Sequence, residues 1–190
     1  MKQIILILFT LSTFLFARER SNPELFFSDS TYEATCTLVC KNNALDSRQL
    51  LDILFAYDHV KEYMAKFNLT MTKKMEDSTT SRIELRYNYL IAHMTMDLVR
   101  IKKVDQNMVS FVMENYYRSK RILPIVQSTS GTYYIRKEAE EWLISYKTIV
   151  TLDKTIGPVY RSVIKRETRR YLDDLKEYIE TVTPPGTASE

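Results

Sequence analysis

The sequence predicts an α+β domain in which a curved antiparallel sheet of about seven strands grips one long C-terminal helix. Three observations carry this prediction. From residue 69 to 152 the apolar residues follow a period of two, in segments joined mostly by short polar links. A stretch of helical period lies before that region and a longer one after it. Sheet and helix each have a single apolar face, so each must bury it against the other. A purely parallel sheet would need crossover helices, and the chain has no room for them.

The elements follow in order. Residues 18–31 are a polar lead. YEATCTLVC reads as the first strand, about 32–40, with Tyr32, Ala34, Cys36, Leu38 and Cys40 on one face. Asp46 or Ser47 is a good N-cap for an amphipathic helix reaching about Phe67, with Leu50, Leu51, Ile53, Leu54, Tyr57, Val60, Tyr63 and Met64 as its apolar side. Strands follow at 69–76, through Ile83–Tyr89, and at 93–104, 108–117, 131–139 and 142–152. In the second of these, Ile83, Leu85, Tyr87 and Tyr89 alternate with Arg82, Glu84, Arg86 and Asn88, as in a half-buried strand. Consecutive strands with short links make an antiparallel meander. Gly157–Pro158 opens the last helix, to about residue 182, and Glu167 and Thr168 interrupt its apolar stripe. The tail 183–190 is polar and broken by Pro, the composition of a disordered end.

Composition bounds the function. The chain has 190 residues, enough for one domain with a real core, and its 13 Tyr and 8 Phe favour strands and broad apolar surfaces. A net charge of +3 leaves no basic footprint for nucleic acid. Residues 1–17, MKQIILILFTLSTFLFA, have the three parts of a secretory signal peptide, and the apolar run Ile4–Phe16 is shorter than the roughly 20 residues that span a bilayer. Cleavage after Ala17 and a periplasmic or secreted location are expected. Cys36 and Cys40, four apart on one strand, would stand roughly 13 Å apart. A disulfide requires about 7 Å. They are therefore expected as reduced, buried small hydrophobes.

Three segments carry a family resemblance: LLDILFAYDHVKEYM (50–64), SGTYYIRKEAEEWLISYKTIV (130–150) and GPVYRSVIKRETRRYLDDLKEYI (157–179). With the element order they resemble the START-like helix-grip superfamily, also called SRPBCC, and in particular its polyketide cyclase/lipid transport and coenzyme-Q-binding-like group. The resemblance covers about 32–182. It departs from the family in lacking the usual Pro of the first-helix motif, where Val60-Lys61-Glu62 stands. It implies a deep, mostly apolar cavity for lipids, sterols, isoprenoids or polyketides. Its motifs are packing signatures, so they speak to fold more than to chemistry.

The expected cavity lining is the apolar sheet face and the last helix: Ile83, Leu85, Tyr87, Tyr89, Met94, Met96, Phe111, Met113, Trp142, Ile144, Tyr146, Val163, Ile164 and Tyr171. Any one of these is equally at home in plain core; the resemblance makes the set a cavity. YYRSKRILPIVQ (116–127) mixes aromatic, basic and apolar groups, and Tyr117, Arg118, Lys120, Arg121, Ile122 and Leu123 suit a membrane interface. A strand running further than drawn fits the same residues. Lys165, Arg166, Arg169 and Arg170 read as a solvated helix face, with an anionic-lipid site as the alternative; Asp58–His59 reads as a helix-end surface pair and His93 as a turn or sheet-surface residue, each weighed against a catalytic histidine. Asn68-Leu69-Thr70 matches a glycosylation sequon. No nucleophile elbow, P-loop, dinucleotide fingerprint or HExxH occurs, and no cofactor or metal is implied. The leading expectation is an exported carrier that buries a hydrophobic small molecule or lipid without covalent chemistry and touches membranes transiently. A cyclase or dehydratase using the same cavity, and an interaction module with a closed core, are the alternatives.

Overall fold

The structure, a computed structural model, describes residues 21–88, 92–120 and 124–183. The expected signal peptide and residues 184–190 of the expected tail lie outside these, as do Tyr89, Arg121, Ile122 and Leu123. The strands are β1 (Glu24–Ser28), β2 (Thr31–Cys40), β3 (Leu69–Glu76), β4 (Thr80–Asn88), β5 (His93–Lys103), β6 (Met108–Arg118), β7 (Val126–Glu138) and β8 (Glu141–Leu152). The α-helices are α1 (Ser47–Phe55), α2 (Tyr57–Tyr63) and α3 (Pro158–Thr181). All eight strands form one antiparallel curved sheet in the order β1-β2-β8-β7-β6-β5-β4-β3. Register shifts in the β3–β4, β5–β6 and β7–β8 pairings mark bulges, which bend and twist the strands that carry them.

The eighth strand is β1, in the segment read as a polar lead. It pairs with β2 from Glu24↔Thr35 to Ser28↔Thr31, turning Leu25 and Phe27 onto apolar clusters and leaving Phe26 61% exposed. β7 also starts earlier than the sequence suggests, at Val126, so the link from β6 is shorter than it reads.

The single helix expected from Asp46 to Phe67 is two helices. Asp46 caps α1 with a capping box, its side chain accepting from Gln49 N at 2.8 Å. Ala56 is then extended, at ψ 138°, and Tyr57 N donates to Glu76 Oε2 at 2.7 Å. The Glu76 carboxylate thus supplies an acceptor at the start of α2, where bare N–H groups and the helix dipole favour negative charge. The apolar period runs through the break because both helices bury the same side.

β7 carries one position that only glycine satisfies. A Cβ on Gly131 would lie 2.3 Å from Phe111 Cζ and 2.5 Å from the Lys147 carbonyl oxygen. The missing side chain lets the Phe111 ring settle against the sheet.

Candidate functional site

Alternation sends one residue in two to the concave face. β4 contributes Ile83, Leu85 and Tyr87, and the register sets Leu98, Met96 and Met94 of β5 opposite them. Phe111 and Met113 of β6 and Trp142, Ile144 and Tyr146 of β8 extend this face. Against it, α3 buries Leu172, Leu175 and Ile179 completely.

The grip is uneven along α3. Its C-terminal half is packed, yet Val159, Tyr160 and Val163 near its start are 76%, 51% and 39% exposed. Ile164 alone from that half reaches a second apolar cluster, of Val126, Val150, Leu152 and Ile156. On the sheet, Tyr87, Met94, Phe111 and Met113 are half-buried although they face inward. Tyr116 of β6 and Tyr171 of α3 share that state. An inward-facing side chain stays half-exposed where nothing covers it. These residues therefore outline an open apolar trough beside the exposed start of α3.

Of the expected lining, Leu85, Met96, Trp142, Ile144 and Tyr146 are buried in the packed part. Tyr87, Met94, Phe111, Met113, Ile164 and Tyr171 are the half-buried ones, and Val163 is exposed. Two depressions, of about 330 and 530 Å³, open on the sheet surface around Ile101 and Val112 and around Thr35 and Tyr134. Of the expected lining, only Phe111 reaches the first and only Tyr146 the second.

The deep end of the concave face holds a polar group the sequence reading missed. Arg100 is 4% exposed, and its Nη2 donates to the Leu54 carbonyl oxygen in the last turn of α1. The phenols of Tyr133 and Tyr171 share a hydrogen bond, and Tyr133, Tyr146 and Tyr171 pack ring to ring at 5.2–6.0 Å. Tyr63 joins them, its ring 6.0 Å from that of Tyr171 and its buried hydroxyl beside Arg100 with no acceptor for its proton among the described residues. Burial opposes the Arg100 charge, but the phenol oxygens of Tyr63, Tyr133 and Tyr171 more than offset it and hold the pKa above its ordinary value. Burial also pushes the Tyr133, Tyr146 and Tyr171 phenols well above 10. At neutral pH this end therefore carries one full positive charge and neutral hydroxyls. A signal was present in the sequence: Arg100 stands in phase with Met94, Met96 and Leu98, where a solvated arginine would break the apolar face.

Asp153, just after β8, ties the end of β8 to the segment between β6 and β7. Its Oδ1 accepts from Ile125 N at 2.7 Å, and its Oδ2 lies 4.0 Å from Arg118 Nη1. Tyr117 is 60% exposed, Lys120 is exposed, and Arg118 is half-buried. β6 runs to Arg118, one residue past the expected 108–117, and β7 starts at Val126, so strand extends into both ends of this segment. On α3, Arg166 pairs with Glu167, Arg170 donates to Lys66 O, and Lys165 is exposed.

His59 Nδ1 is 2.7 Å from the Tyr178 hydroxyl, and His93, the first residue of β5, donates its backbone N–H to Ser119 Oγ. Cys36 and Cys40 are both unpaired, on one face of β2.

No family model matches this chain, and no curated protein matches it. Solved structures do. The STAR-related lipid transfer protein from Xanthomonas axonopodis aligns over 87% of this chain and 94% of its own, with a TM-score of 0.59 at 8% identity. The Zhui aromatase/cyclase from Streptomyces sp. R1128 aligns over 79% and 94%, with 0.57 at 14%. The lipid transfer and protein localization domain of human StarD13 aligns over 96% and 99%, with 0.53 at 9%. At these identities the likeness is one of architecture. The fold is the START-like helix grip.

Proposed function

We propose that this protein is an exported carrier that takes a hydrophobic ligand into the trough between the sheet and the first half of α3. The carrying observation is the set of inward-facing yet half-buried residues, Tyr87, Met94, Phe111, Met113 and Tyr116, beside the exposed stripe Val159, Tyr160 and Val163. Covering that surface with a ligand contributes roughly 25 cal/mol per Å² of apolar area removed from water, before ordering costs. The Tyr133, Tyr146 and Tyr171 phenols and the Arg100 guanidinium at the deep end hold their protons at neutral pH, so they are hydrogen-bond donors for a ligand's polar end. The likeness to lipid-transfer domains supports the same reading.

Exchange takes place at a membrane surface. Val159, Tyr160, Val163 and Tyr117 would enter the interface, and Lys120, Lys154 and Lys165 would meet anionic head groups. Each such lysine contributes about 1 kcal/mol near an anionic surface.

The test is uptake by delipidated protein. A fluorescent fatty acid should bind at about one site per chain, and Met113→Trp, which fills the trough, should abolish binding in a folded protein. Retained binding in that variant would remove the trough as the site. Reversing Lys120 and Lys165 to Glu should slow transfer to anionic vesicles and leave binding in detergent intact. Equal transfer to neutral and anionic vesicles by the unaltered protein would refute the docking surface. N-terminal sequencing of the exported protein should begin at Arg18 or within a few residues; full-length cytosolic protein would refute export.

A further inference from the structure

We propose that the ligand carries a single carboxylate, and that it binds with this group against Arg100 and its tail along the trough; this rests on the carrier reading above. A guanidinium 96% buried is costly unless its charge is met. Its partners among the described residues are a helix-end carbonyl, Leu54 O, and the Tyr63 phenol, and neither carries a full negative charge. A helix C-terminus supplies at most about half a negative charge. No carboxylate pairs with Arg100 among the described residues, while nearby Lys102 is taken by Asp52. The phenols of Tyr133 and Tyr171 stay protonated, so neither is the missing anion.

A second observation points to the same ligand group. The Tyr63 hydroxyl, in a residue 3% exposed, lies beside the Arg100 guanidinium, and its own proton has no acceptor among the described residues. A buried donor without a partner is rare. One carboxylate would accept from the guanidinium and from this hydroxyl together. The group is reached from the trough: Arg100 stands directly across the β5–β6 ladder from half-buried Phe111, and Tyr171, another of its neighbours, is half-buried too. One uncompensated positive charge matches one carboxylate better than a phosphate monoester, which carries about −1.5 to −2 at neutral pH.

The experiment compares oleate with oleyl alcohol on delipidated full-length protein at pH 7.5. The unaltered protein should bind oleate at least about tenfold tighter, the margin of a charge-assisted hydrogen bond. Arg100→Gln should bring the two affinities together while oleyl alcohol still binds. Equal affinities in the unaltered protein would overturn the inference and leave the carrier reading standing. Failure of both probes to bind would overturn the carrier reading, and this inference with it. A preference that survives Arg100→Gln places the acid elsewhere and overturns the inference. If Arg100→Gln does not fold, carboxyl-labelled oleate in the unaltered protein decides by NMR. Its carboxyl should stay ionised below the ordinary carboxylate range, and titration at or above that range would overturn the proposal.

Discussion

Gly131→Ala should be among the most destabilising conservative changes in this chain, and its magnitude follows from two distances. The new methyl carbon would sit 2.3 Å from Phe111 Cζ and 2.5 Å from the Lys147 carbonyl oxygen, both far inside van der Waals contact. The ring can swing away, at the expense of its seat on the sheet. The carbonyl cannot move so freely, because Lys147 lies in the β7–β8 ladder opposite Thr132. Overpacking costs about 1–3 kcal/mol and a weakened ladder hydrogen bond about 1 kcal/mol, so the total should be about 2–4 kcal/mol. For a domain of this size that lowers Tm by about 5–15 °C. Urea unfolding followed by circular dichroism measures the loss, with Gly157→Ala as the control. A Cβ on Gly157 meets nothing within 4 Å, and that variant should stay within about 1 kcal/mol of the parent. A loss below about 0.5 kcal/mol for Gly131→Ala would mean that β7 and β8 yield at this point, and the reasoning would fail.

The remaining predictions concern packing, alkali and the thiols. Leu85, 3% exposed and opposite Met71 and Met96, has no room for a larger ring, so Leu85→Trp should cost about 1–3 kcal/mol whereas Met113→Trp in the trough should cost under about 1. Equal losses in chemical denaturation would mean that no trough exists. Burial pushes the Cys40 thiol up to about 12 from 9.0 and the Tyr32 phenol up to about 12 from 10.0, with Tyr133, Tyr146 and Tyr171 raised as well. The unfolded chain releases these protons at the ordinary values while the folded chain keeps them, so stability should be unaffected by these groups below about pH 9 and fall above it. By pH 10.5 Cys40 alone should cost about 2 kcal/mol; urea midpoints that do not change between pH 8 and 10.5 would contradict this. Cys40 should resist a thiol reagent at pH 8 until the protein unfolds, and the unfolded, unreduced chain should then titrate two thiols. A count near zero would reveal an intrachain disulfide and break the geometry of β2.

The sequence alone determined what depends on local period. Alternation in β4, β5 and β8 fixes which residues face inward, and Leu85, Met96, Ile144 and Tyr146 are where the pattern puts them. The pleat leaves no other choice once a strand has one apolar face. The stripe of α3 and its start at Gly157–Pro158 were legible for the same reason. Only the tertiary structure decided what depends on distant partners. Glu76 splits the first helical stretch at Ala56 by reaching Tyr57 N from another strand. β1 is a strand because β2 offers it an edge, not because ELFFS alternates any better than its surroundings. Which half of α3 grips and which stands clear follows from where the curved sheet meets the helix, so Val163 and Leu172 differ in burial though both lie on the predicted helix. The placing of Arg100 was hidden for the opposite reason. Its phase along β5 is readable, but a charge is expected outside until the structure shows a helix end and three phenols gathered around it. Period is a property of neighbouring residues along the chain; the cost of burying a charge depends on everything packed around it.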